Sequence, residues 1–242
     1  LGLRAATLLI EQDAAALTLT SRSGRFARDL QHKSMPSNVH LAVAHDVGSA
    51  MEALCMYTQA VRTGVLHAAG VLRDKLLQRM TIMDIKAVSE PKALAASHLH
   101  SAVARDPLET LVIFSSVTSV IGNAGQANYT AANAYLDQLS LSRRVCGVLG
   151  SSLQIPAVRG AGMGAATFHD EQLIAMGAIS LDEFAACLSQ SLSPVGPERT
   201  QSPMTGPILQ MTASMALLSE RQTHSPTMAV AKISAPADRE VS

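Results

Sequence analysis

Thr110-Leu111-Val112-Ile113-Phe114 is an unbroken β-branched or apolar run that stops abruptly at Ser115-Ser116. A run this short and continuous suits a strand buried on both faces, the situation of a parallel sheet covered by helices on each side. The surrounding pattern agrees. Residues 1–11, 51–61, 82–101 and 128–141 read as helices, while 15–20, 39–44, 62–67 and 150–155 read as strands. Strands separated by helix-length segments indicate βαβ units, hence an α/β doubly wound parallel sheet.

Composition narrows the function classes. Nineteen basic and nineteen acidic side chains cancel, which argues against a sequence-independent nucleic-acid binder that must neutralise phosphates. The chain has four Phe, three Tyr and no Trp, too few for a base-stacking platform. Cys55, Cys146 and Cys187 are widely separated and form neither a metal spacing nor a disulfide framework, so a reducing, cytoplasmic setting is expected. No apolar run reaches the length of a membrane span, so no membrane partner is expected. Six of the ten prolines lie at or beyond residue 194, mixed with Ser, Thr and Gln, and 194–242 reads as a linker or tail attached to a domain at 1–193.

In an open parallel sheet, ligands bind beyond the carboxyl ends of the strands. The residues following the expected strands are Ser21-Arg22-Ser23-Gly24, Asp46-Val47, His67-Ala68-Ala69-Gly70 and Ser115-Ser116, and all fall on that edge. Ala68, Ala69 and Gly70 are small enough for the backbone to approach a flat ligand closely. Arg22 lies twenty residues after Gly2, the spacing of a ribose-reading position in a dinucleotide fold. With Arg22 and Arg25 at that tip and no acid before Asp29, a 2′-phosphate would be paired, which favours NADP over NAD. Arginines in a surface turn are also commonly just solvated.

Tyr129 and Asn133 are four apart and share a helix face, with Ser116 thirteen residues upstream of Tyr129. Serine and tyrosine hydroxyls above a sheet edge can jointly grip a carbonyl oxygen. A tyrosine of ordinary pKa needs a nearby cation to move a proton at neutral pH, and Lys92 on the preceding helix is the candidate. On spacing alone, Tyr129 also reads as a packing residue and Lys92 as a solvated one. His98 and His100 lack the neighbours of a metal site, and none is expected. His67 reads as a hydrogen-bonded strand-end residue.

Phe114-Ser115-Ser116-Val117 and Gly125-Gln126-Ala127-Asn128-Tyr129-Thr130-Ala131-Ala132-Asn133-Ala134-Tyr135-Leu136-Asp137 resemble the ketoreductase domain of modular type I polyketide synthases. That family belongs to the short-chain dehydrogenase/reductase superfamily. Leu19 to Gly24, Asp46-Val47, Gly64 to Asp74 and Pro91-Lys92-Ala93 fit the same family in the same order. The resemblance covers residues 1–190 and implies a Rossmann-type sheet. It implies NADPH-dependent reduction of a β-ketoacyl thioester on an acyl carrier protein, in polyketide or related fatty-acid synthesis. By the same resemblance Tyr129 is the general acid, Ser116 holds the carbonyl oxygen, Lys92 tunes Tyr129 and binds the nicotinamide ribose, and Asn133 completes the set. Gly2, Arg22, Ser23, Asp46, Val47, Ala69 and Gly70 are the implied cofactor contacts. The phosphopantetheine-borne substrate and neighbouring synthase domains are the implied partners.

Departures from the family pattern qualify these expectations. Of the glycine-rich turn only Leu1-Gly2-Leu3 matches, so the first strand and earlier glycines are expected to be missing. Leu72-Arg73-Asp74 and Ile121 stand where the two stereochemical subtypes carry their markers, and Gln126 leans toward one of them. The 154–163 segment lacks the family's tryptophans. Two other readings stand beside the main one: a non-catalytic structural piece of a synthase, and a free-standing short-chain dehydrogenase acting on a small ketone.

Overall fold

The computed structural model describes residues 1–12, 14, 16–22, 39–44, 46–58, 64–104 and 108–192. Ser23, Arg25, Asp29 and the 193/194 boundary with its tail lie outside the described residues.

All described strands pair in parallel. β1 (Leu17–Ser21) pairs with β2 (Val39–Ala44), and β3 (Gly64–His67), β4 (Thr110–Ser116) and β5 (Ser151–Ile155) form a second set in the order β3-β4-β5. β4 is central in its set, and its side chains divide by alternation. Val112 and Phe114 join a cluster with Ala5 and Leu8 of α1 (Gly2–Glu11), Leu153 and Ile155 of β5, and Phe184 and Leu188 of a late helix (Leu181–Leu192). Leu111 and Ile113 join another with Val65, Ala96, Leu99 and Leu136. Both faces of β4 are therefore covered, which is why its sequence shows no polar alternation. The Phe114 and Phe184 rings meet edge to face, with centroids 5.7 Å apart.

Residues 50–58 form α2, and the last three residues of its expected extent, 59–61, lie outside the described residues. The expected single helix over 82–101 is instead three pieces: α3 (Ile82–Ser89), a π-helical turn (Glu90–Leu94), and α4 (Ala95–Ala102). Pro91 supplies the physical reason, since its ring lacks an N–H and crowds the carbonyl four residues back. The wider turn relieves that clash, and Ala95 N donates to Glu90 O across it. Thr81 starts α3 with a capping box, accepting from Asp84 N while the Asp84 carboxylate accepts from Thr81 N.

After β4 come α5 (Thr118–Ile121) and α6 (Ala127–Val145). The intervening loop turns at Gly125, whose φ is +78° and whose missing Cβ would stand 3.9 Å from the Lys75 backbone. Lys75 N donates to Gly125 O at 2.8 Å there, tying two loops together. Beyond β5, α7 (Gly162–Thr167), α8 (Asp170–Ala175) and α9 (Leu181–Leu192) complete the described chain. Among the described residues, no helix is long and apolar enough to cross a membrane.

Candidate active site

A cleft of about 370 Å³ opens at the carboxyl edge of β3, β4 and β5. That volume lies within the usual range for small-molecule sites, about 300–1,000 Å³. Its walls include Ala68, Ala69 and Gly70 after β3, Ser115 and Ser116 at the end of β4, and Pro156 to Val158 after β5. Tyr129 and Lys92 enter from the helices, and Gly2 closes one end.

The π-helical turn rotates Lys92 inward until it is only 3% exposed. Its ammonium donates to Phe114 O at 3.0 Å and to Asn133 Oδ1 at 2.9 Å, and lies 5.1 Å from the centre of the Tyr129 ring. An ammonium has three donors, so one remains for a ligand hydroxyl. Burial lowers the Lys92 pKa to about 8, and the negative charge of Asp137 opposes that shift. The side chain is thus still predominantly a cation at neutral pH.

Asn133 is fully buried one helical turn beyond Tyr129 and does not line the cleft. Its Nδ2 donates to Tyr129 O at 2.9 Å, leaving Oδ1 for Lys92. Burial raises the Tyr129 pKa, with the Asp74 charge adding to it; hydrogen bonding with Asn133 and Ser116 works the other way. Tyr129 therefore stays protonated at neutral pH, as a proton donor must. Ser116 Oγ accepts from Thr118 N at 3.3 Å, which fixes the hydroxyl at the turn out of β4.

His67 is buried beneath this group, with Nε2 3.3 Å from Lys92 O. Burial first, then the Lys92 charge, lowers its pKa to about 4, so it is a neutral donor that steadies the π-helical turn. His98 Nδ1 lies 3.3 Å from Val47 O, and His100 Nδ1 lies 2.6 Å from Arg143 Nη1.

The expected site residues thus separate into two groups. Ser116, Tyr129, Lys92, Gly2, Ala69 and Gly70 share one cleft, with Asn133 directly behind Lys92. Arg22 is exposed in the turn after β1, and neither it nor Asp46 nor Val47 lines that cleft. Asp46 Oδ1 instead accepts from Gly48 N at 3.0 Å, and its own N–H donates to Glu52 Oε2.

The residues present fit a nicotinamide dinucleotide. A Cβ on Gly70 would stand 3.0 Å from Lys92 Cε, and one on Gly2 would stand 3.6 Å from Ala68 Cβ. On that side Ala68 and Ala69 carry only methyl groups and Gly2 and Gly70 none, with the Lys92 and Met163 side chains alongside Gly70. The N-terminal turn of α1 at Gly2 presents free backbone N–H groups suited to phosphate.

Two neighbours, Asn128 and Met163, carry no expected role in the sequence, and Gln126, read there only as a subtype marker, has a structural partner here. Asn128 Nδ2 donates to Arg73 O at 3.0 Å and Asp84 O at 3.2 Å, while its Oδ1 accepts from Tyr129 N. Gln126 Nε2 donates to Asp74 Oδ2 at 2.9 Å and its Oε1 accepts from Asn123 Nδ2, closing one rim. Met163 packs against the cluster of Val88, Tyr129 and Ala132. A polar residue beside Tyr129 in an otherwise alanine-rich helix start was the available signal for Asn128.

Comparison with known proteins bears on this geometry. The family model described as "KR domain" matches residues 1–160. A hybrid PKS-NRPS synthetase of Trichoderma harzianum is 43% identical over 122 residues, covering 50% of this chain and 3% of its own length. A squalestatin tetraketide synthase of Cochliobolus lunatus is 34% identical over 185 residues, covering 72% of this chain and 7% of its own. Among solved structures, A-type ketoreductases from a modular polyketide synthase superpose with a TM-score of 0.68 at 33% identity, over 78% of this chain and 41% of that one. The chain spans only a few per cent of the length of these curated relatives.

Proposed function

The chain belongs to the KR-domain family, and from that premise we propose that it catalyses NADPH-dependent reduction of a β-ketoacyl thioester to the β-hydroxyacyl form. The observation that carries this reading is the convergence of Ser116, Tyr129 and Lys92 on one cleft, with Asn133 holding the Lys92 ammonium from behind.

NADPH, when bound, supplies the hydride. The remaining chemistry falls to side chains of this chain. Ser116 Oγ donates a hydrogen bond to the substrate carbonyl oxygen and orients it. Tyr129 gives its phenolic proton to that oxygen as negative charge develops there. The Lys92 cation lowers the cost of the tyrosinate left behind, and its third N–H binds ribose. Asn133 keeps Lys92 aimed by accepting one of its protons. Ala69, Gly70 and Gly2 line the cofactor, while Arg22 and Ser23 are assigned to the 2′-phosphate and Asp46 and Val47 to the adenine edge. This last assignment rests on the family motif and on the general match of guanidinium to phosphate.

The relatives are multidomain synthases, so the substrate is assigned to a phosphopantetheine arm on an acyl carrier protein, with other synthase domains as neighbours. Incubation with NADPH and a β-ketobutyryl pantetheine thioester tests the assignment. NADPH oxidation with stoichiometric β-hydroxy product is expected. Absence of product at saturating concentrations of both would overturn it.

A further inference from the structure

Asp137 lies two turns beyond Tyr129 on α6, so Tyr129, Asn133 and Asp137 share one face. Its carboxylate is not part of the cleft, yet both oxygens are engaged. Oδ1 accepts from Ser152 Oγ, and Oδ2 accepts from Gln154 Nε2 at 2.8 Å. The Gln154 amide also lies 3.2 Å from Ser119 Oγ as donor, and Ser119 Oγ in turn donates to Ser116 O at 2.8 Å. Three side chains, Asp137, Gln154 and Ser119, thus run in series from the helix that carries Tyr129 to the backbone carbonyl of Ser116 at the strand end. Val117 N donates to Ile155 O at 3.2 Å beside them, so the turn is pinned to β5 as well.

We infer that Asp137 is a positioning residue, which through Gln154 and Ser119 sets the place of Ser116 relative to Tyr129. For the consequences in turnover, this rests on the reduction proposed above. Two hydroxyls that must grip one oxygen tolerate little misplacement, since an error of about 1 Å can cost roughly a hundredfold in rate. A charged acceptor at the far end is suited to the task, because hydrogen bonds to carboxylate are stronger and shorter than neutral ones. Ser152 occupies the second oxygen and stops the carboxylate from turning away.

The test uses Ser119→Ala, Gln154→Leu and the double variant, because Asp137→Asn would also remove the negative charge that acts on Lys92. Ser119→Ala removes a hydroxyl outside the cleft and leaves Lys92, Asn133 and Tyr129 untouched. Each single variant should lower kcat about tenfold, with KM for NADPH within about twofold of wild type. The double variant should lose about the same tenfold, because one series of bonds can be broken only once. Hydrogen exchange supplies a readout independent of activity. The Thr118 amide, bonded to Ser116 Oγ, should exchange faster in Ser119→Ala than in wild type. Unchanged exchange, losses that multiply in the double variant, or an unaltered kcat in Ser119→Ala would overturn the inference. If the wild-type protein reduces no β-ketothioester, the functional reading fails, and the exchange rates still decide whether the series of bonds holds Ser116.

Discussion

The Lys92 ammonium lies 2.9 Å from Asn133 Oδ1, and the other end of the same amide donates to Tyr129 O, also at 2.9 Å. A buried cation is therefore fastened to the helix that bears the tyrosine, although the two residues belong to different elements of the chain. That fastening has a stability cost, because burial lowers the Lys92 pKa from 10.5 to about 8.

Lys92 gives the first prediction. A depressed folded pKa means the unfolded chain binds more protons between pH 8 and 10.5, so this group's contribution to stability rises with pH across that window. The full effect is on the order of 3 kcal/mol. Lys92→Met should abolish reduction and remove this rise. Urea midpoints of the two proteins, compared from pH 7 to pH 10, should show wild type gaining on the variant as pH increases. Parallel curves would contradict the burial of a charged Lys92.

His67 gives the opposite limb. Its folded pKa of about 4 lies below the unfolded value of 6.5, so stability is lost as pH falls through that interval. At pH 5 the loss should be about 2 kcal/mol relative to neutral pH. His67→Gln keeps a donor for Lys92 O and has nothing to protonate. Chemical denaturation at pH 7 and pH 5 should show the wild type weakening by more than the variant.

Gly70 tests the cofactor wall. An alanine methyl there would press on Lys92 Cε at 3.0 Å and narrow the space beside it. Gly70→Ala should weaken NADPH binding about tenfold, some 1.4 kcal/mol, with a much smaller change in melting temperature. Fluorescence titration with NADPH measures this directly. Unchanged affinity would move the nicotinamide end of the site away from Gly70.

The legible and hidden parts of this chain differ for physical reasons. β4 was readable because both its faces are buried, so Leu111 to Phe114 carry no polar alternation. Tyr129 and Asn133 were readable as a pair because a regular helix puts residues four apart on one face. That Lys92 faces inward was not legible from periodicity, since the π-helical turn at Pro91 breaks the helical count that would assign it a direction. Its candidacy came from the need for a cation beside Tyr129 and from the resemblance, not from helical spacing. The helix at Leu181–Leu192 went unread although its signals were present. Ser180 and Glu183 form a reciprocal cap, and Phe184, Ala185 and Leu188 are its buried stripe. The helix at Gly162–Thr167 was hidden for another reason: Gly162 and Gly164 carry poor helix propensity, and packing against Leu1, Ala157 and Leu173 compensates.

Tyr129→Phe is the most direct measurement of the central claim, because it deletes one hydroxyl and keeps the ring that packs against Val88, Ala132 and Met163. Turnover of a β-ketoacyl thioester with NADPH should fall by about a hundredfold or more, while NADPH affinity and melting temperature stay near wild type. A variant that reduces the thioester within about twofold of the wild-type rate would contradict proton donation by Tyr129 and, with it, the assignment of this cleft as the reductase site.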